Sequence, residues 1–102
     1  MITAITLLTV APGRVPDVAE ALIRVPGITE AYSVAGSYDL VAVARVSRHE
    51  ELADLVAQHM QTIPGILTTN TLIAFRAYSQ RDLAAMWDIG FEEPVDESDS
   101  AV

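Results

Sequence analysis

The sequence predicts an α+β fold: a ferredoxin-like βαββαβ sandwich, in which a four-stranded antiparallel sheet carries two helices on one face, with a short C-terminal helix added. Three observations predict it. Runs rich in β-branched residues alternate with segments whose apolar residues recur at helical spacing, in the order β-α-β-β-α-β. The segment Val25-Pro26-Gly27-Ile28 recurs as Ile63-Pro64-Gly65-Ile66, each time joining a helix end to a strand start. A Pro-Gly pair ends helices in many folds, but its recurrence with the same flanking aliphatics reads as two βαβ halves. Finally, Gly36-Ser37 separates two strand-like runs and has the composition of a type II′ hairpin turn.

Each element has its own warrant. Residues 2–10, ITAITLLTV, form a β-branched run that stops at the turn signal Ala11-Pro12-Gly13. Pro16 suits the first turn of a helix, with Asp17 and Glu20 in that turn and Val18, Leu22 and Val25 at helical spacing before Pro26-Gly27 ends it. Residues 28–35 and 38–46 are the two runs of an antiparallel hairpin, with Ala35 opposite Tyr38 and Val34 opposite Asp39. Ser47 and Glu50 fit a capping box, and Leu52, Leu55, Val56, Met60 and Ile63 form the stripe of a second helix closed by Pro64-Gly65. Residues 66–78 return to a strand. Beyond them, Ser79 can cap a short helix with Asp82 in its first turn and Leu83, Met86, Trp87 and Gly90 along one side. Trp87 reads as the anchor that docks this helix.

The chain of 102 residues, 51% apolar and 20% charged, has material for one core. Residues 1–91 are expected as a single domain, with 78–91 as its helical extension. The formal charge of −8 is unevenly placed: Glu92, Glu93, Asp96, Glu97 and Asp99 crowd residues 92–102, an expected disordered tail. Residues 1–91 then hold nine acids and six arginines, with no basic stripe for phosphates, so direct binding of nucleic acid is not expected. Cysteine is absent, which excludes disulfides, thiolate metal sites and a cysteine nucleophile and points to a cytoplasmic protein. No apolar run reaches membrane length, and none reads as a signal peptide.

The strands are apolar on both faces. Ile2, Ala4 and Leu8 alternate with Ile5 and Leu7, and Leu40, Ala42, Ala44 and Val46 alternate with Val41 and Val43. Helices cover one face only, so the other calls for a second copy of the chain packed sheet to sheet. Asp39, two residues past the predicted turn, could accept loop N–H groups and organise a site for a zwitterion. The alternative reading is an aspartate that stabilises its turn and binds nothing.

The run Gly36-Ser37-Tyr38-Asp39-Leu40 closing a hairpin, Pro26-Gly27-Ile28 before it, and Pro64-Gly65-Ile66 ahead of a Thr-rich strand together resemble the effector-binding, RAM-type domain of the Lrp/AsnC family of transcriptional regulators. The resemblance runs from about Ile2 to Tyr78. It implies dimers formed through the sheets, association of dimers into tetramers or octamers, and an amino acid or similar metabolite bound in the cleft between dimers. It assigns Gly36, Ser37, Tyr38 and Asp39 to that cleft, and more loosely His49 at the start of the second helix and Thr69, Asn70 and Thr71 on the last strand. Regulators of the family carry an N-terminal helix-turn-helix domain, whereas this chain begins at its first strand. It is therefore expected as a stand-alone effector domain, with a full-length regulator of the family as a candidate co-assembly partner.

Neither a metal nor a cofactor is expected. His49 and His59, ten apart, point about 80° from each other around a helix and do not make a metal pair. Thr68 to Thr71 suit a strand as well as a binding site. Glu30 and Arg45 are expected to pair across the hairpin. The alternative function is a small monooxygenase-like enzyme of the dimeric α/β-barrel kind, against which stands the lack of a nucleophile and base.

Overall fold

The structure, a computed structural model, describes residues 1–80. It contains β1 (Ile2–Val10), α1 (Val15–Ile23), β2 (Ile28–Ser33), β3 (Leu40–Val46), α2 (His49–Asp54) and β4 (Ile66–Ala74). A π-turn (Leu55–His59) and a 3-10 turn (Met60–Thr62) prolong α2. The expected C-terminal helix beyond Gln80, with Trp87, and the acidic tail lie outside the described residues.

The strands order as β2-β3-β1-β4, with every neighbouring pair antiparallel. This is the ferredoxin-like βαββαβ arrangement, with the helices packed on one face. Ala4, Leu8 and Val10 of β1 and Leu40, Ala42, Ala44 and Val46 of β3 alternate inward and meet Val18 and Leu22 of α1 and Leu52, Leu55 and Met60 of the second helix. Each buried Leu contributes about 1.5–3 kcal/mol of transfer free energy. The two strands with the longest apolar alternation thus take the sheet centre, and Thr-rich β4 takes an edge. β4 also ends four residues earlier than expected, leaving Phe75 and Tyr78 exposed beyond it.

The second helix departs from expectation at both ends. It starts one residue later than the capping box requires, with Arg48 as an extended N-cap that makes no side-chain cap bond. Ser47 therefore falls outside the helix, and Arg48 instead approaches Glu50 at 3.9 Å and Glu51 at 3.7 Å. Downstream, Leu55 and Met60 are both buried although they are five residues apart. Residues at that spacing diverge on an α-helix, but a turn closed from i to i+5 stacks them. The π-turn is the local solution that puts Met60 into the core.

The opposite sheet face is uncovered within the chain. Ile5, Leu7, Val41 and Val43 are half-buried there, and Leu72 is 49% exposed. No helix among the described residues is long and apolar enough to cross a membrane.

Candidate functional site

The hairpin between β2 and β3 is shorter in its strands and wider in its loop than the sequence suggests. Residues 34–39 form the loop, closed by the Val34 N–H donating to the Asp39 carbonyl at 3.0 Å. The expected pairing of Val34 with Asp39 is present, but the two-residue type II′ turn is not. Gly36 has a positive φ of +129°, well beyond the roughly +60° of that turn. A Cβ at Gly36 would meet nothing within 4 Å, so glycine is needed there for its backbone angle and not for space.

The cause of the wider loop is Asp39. Its N–H donates to the Leu8 carbonyl at 2.9 Å, and its Oδ2 accepts the Val10 N–H at 2.8 Å. The β1–β3 ladder ends at Leu8 opposite Leu40, while β1 itself continues to Val10. The carboxylate supplies the acceptor that a longer β3 would have provided, at a position where Val10 is buried. Among the described residues the Asp39 carboxylate therefore takes no N–H of its own loop. It ties the loop to β1, and Oδ1 accepts no hydrogen bond among the described residues. Val10 was the partner that sequence reasoning missed, because a backbone donor on a distant strand leaves no mark in residue type.

The last-strand candidates lie one strand further across the sheet. Thr69, Asn70 and Thr71 pair with Leu8, Leu7 and Thr6 of β1. Strand alternation splits them: Thr69 and Thr71 share the helix face with Leu8 and Thr6, and Asn70 shares the open face with Leu7. The Thr71 hydroxyl is engaged by buried Thr6 at 3.0 Å. Thr69 lines a 230 Å³ cleft with Gln61, Ile66, Leu67 and Thr68.

His49 is placed elsewhere. β3 runs from the hairpin to α2, and its far end, Val46, pairs with Ile2 at the start of β1. His49 follows Val46 by three residues, so it sits at the opposite end of the sheet from Gly36, Ser37, Tyr38 and Asp39. Within one chain the structure groups the hairpin loop with the end of β1 and does not bring His49 to it.

Charge on the open face is concentrated at the β2–β3 side. Arg45 reaches Glu30 at 3.7 Å and the Thr29 hydroxyl at 3.0 Å, the pairing expected from the sequence. Tyr32 donates to Glu30, which as acceptor and as neighbouring negative charge raises the phenol above its ordinary value. Among the described residues no group of three His, Asp or Glu could hold a metal.

The Lrp/AsnC ligand binding domain model matches residues 3–84. The chain belongs to the Lrp/AsnC ligand-binding domain family. It is thus a ligand-binding domain of a regulator family and not the barrel enzyme weighed as its alternative. TTHA0845 from Thermus thermophilus has a similar structure, with a TM-score of 0.73 and 46% identity, over 78% of this chain and 99% of that one. The HTH-type transcriptional regulator FL11 from Pyrococcus furiosus is 32% identical over 78% of this chain and 52% of its own length. A feast or famine regulatory protein from M. tuberculosis, solved as a complex with L-methionine, superposes with a TM-score of 0.63 at 27% identity, over 79% of this chain and 55% of that one. The chain spans about half the length of FL11, and 39% of that of another curated relative, an uncharacterized HTH-type regulator from Pyrococcus horikoshii.

Proposed function

We propose that this chain binds a free amino acid at its 34–39 hairpin loop and assembles through its open sheet face, acting on transcription or metabolism through that assembly. The observation that carries the reading is the Asp39 tether. It holds an exposed loop with a positive-φ glycine in one place, and it leaves Oδ1 without a hydrogen bond, an acceptor suited to a ligand ammonium group. Asp39 then both positions the loop and contributes to the site, with Gly36, Ser37 and Tyr38 beside it. Thr69, Asn70 and Thr71 contribute from the neighbouring edge strand. Because His49 lies at the far end of the sheet, its participation requires a second protomer, which fits a ligand held between dimers in a tetramer or octamer. The half-exposed Ile5, Leu7, Val41, Val43 and Leu72 support sheet-to-sheet pairing of two copies. A full-length regulator of the family, presenting a matching sheet face, is the proposed hetero-partner.

L-Methionine is the first ligand to test, since a relative of this fold is solved with it. A thermal-shift screen of the amino acids with light scattering should return an assembly of at least two chains. At least one amino acid should raise the melting temperature, because a ligand selective for the native state stabilises it. A monomer mass, or no response to any amino acid, rejects the reading.

A further inference from the structure

The second helix presents a cleft that the hairpin site does not use. At the far end of the sheet, a 370 Å³ cavity lies between the Pro26-Gly27 turn, the end of β3 and the outer side of the helix. Its floor is apolar, made by Val46 and Leu55; its rim carries Glu51, Asp54 and His59, and Arg45 lines it from the strand while its guanidinium is turned to Glu30 on the open sheet face. A volume of this size falls in the lower range of small-molecule sites, roughly 300–1,000 Å³.

The π-turn builds this rim. On an uninterrupted α-helix, Glu51, Asp54 and Leu55 would share a side with position 58, and His59 would face away from Asp54. The extra residue in the turn brings His59 round to that side, so the device that seats Met60 in the core also sets a histidine on the rim of the cleft that two carboxylates line. Arg45 is engaged by Glu30 and Thr29, and Glu51 is shared with Arg48. The side chains of Asp54 and His59 have no partner among the described residues. The rim is therefore rich in acceptors over an apolar floor.

We infer that this cleft is a second ligand site, one that takes an organic ammonium ion: the charged head on Asp54 and His59, the carbon chain on Leu55 and Val46. A metal ion is a poorer occupant, since these groups do not approach as a metal-holding set. The chain contains no lysine, all six of its basic residues being arginines, so no side chain of a second copy supplies a primary ammonium head. Gly27 is part of the device. Its φ is +100°, and a Cβ there would stand 3.0 Å from Leu55 and 3.1 Å from Val46, pressing on the floor.

The inference is independent of the hairpin site, and the test separates them by using an amine that has no carboxylate. n-Butylammonium is titrated into the intact ¹⁵N-labelled protein at low salt, with n-butanol as the neutral control. Amide shifts are expected at Gly27, Ser47, Asp54 and His59, saturating with the amine and absent with the alcohol. Asp54→Asn should weaken binding about tenfold, the loss expected for one charge-assisted contact. Asp17→Asn, which changes the net charge equally on α1, should leave it unchanged. Shifts confined to residues 34–39, equal response to the alcohol, equal weakening by the two variants, or no saturable response would each overturn the assignment.

Discussion

The two βαβ halves of this chain solve the same packing problem with helices of different pitch. In the first half, Val18 and Leu22 are four residues apart on a regular α-helix, and Val18 packs against Gly65 of the other half. In the second, Leu55 and Met60 are five apart on a π-turn, and Leu55 packs against Gly27. The two Pro-Gly turns are otherwise alike. Each glycine has a φ of +100°, the Gly65 carbonyl accepts the Ala11 N–H at 2.8 Å, and the Gly27 carbonyl accepts the Arg45 N–H at 2.8 Å. The half that keeps the regular helix adjoins the hairpin loop; the half with the inserted residue opens a cleft. One residue more on a helix, with the core contacts conserved, is enough to change what its outer side displays.

Deleting one residue from each helix tests this difference most severely. Removal of Ala19 turns the rest of α1 by about 100°, puts Ile23 where Leu22 was buried and pulls buried Val25 and the Pro26-Gly27 turn out of register. It should cost about 2–5 kcal/mol, as well-packed Leu and Val contacts are lost. Removal of Ala57 should convert the π-turn to α-helix with Met60 still inward, at a cost of about 1 kcal/mol or less. Urea denaturation measures both. Equal losses would mean that the inserted residue supports the fold and is not an addition to it.

The glycines come next. Gly27→Ala and Gly65→Ala each force a side chain into a positive φ and should destabilise by about 1–3 kcal/mol. Gly65→Ala should be the worse of the two. Each Cβ would meet a stiff valine Cγ at 3.1 Å, Val18 for Gly65 and Val46 for Gly27, so the order rests on the second contact: the backbone-anchored Arg14 Cβ at 3.2 Å for Gly65 against the flexible tip of Leu55 at 3.0 Å for Gly27. Thermal unfolding of the pair gives the order directly, and the reverse order would show that the two turns are not equally braced.

At the hairpin the expected loss is smaller than at the glycines. Asp39→Ala removes the acceptor of the buried Val10 N–H and should cost about 1–2 kcal/mol, while Asp39→Asn, which keeps a carbonyl oxygen, should recover part of it. Both should weaken any amino-acid response of the melting temperature. A variant that loses stability but keeps its full ligand response would leave Asp39 as a structural tether alone.

Much of this fold was legible in the residues because it rests on local rules. The period-2 runs at 2–10 and 40–46, the helical spacing of Val18 and Leu22, and the Pro-Gly turns each declare an element without reference to the rest of the chain. The Glu30–Arg45 pair was legible for a related reason, since hairpin register follows from the loop between two strands. The capping box at Ser47 misled, because it marks where a helix can start and tertiary packing chose the next residue.

What only the tertiary structure decided depends on contacts between distant parts of the chain. Asp39 was visible as a carboxylate near a turn, but its partner is the Val10 N–H, a group every residue but proline carries, so residue types gave no way to choose it. The same limit explains the loop: a II′ turn suits Gly36-Ser37 locally, yet the bond to β1 outweighs it and opens the hairpin. The separation of His49 from residues 36–39 is a matter of strand direction, which appears only once the sheet is assembled. The π-turn lies between these cases. The apolar spacing of Leu55 and Met60 is written in the sequence, but it becomes a bulge and not a gap in the stripe only because the sheet holds both side chains inside one core.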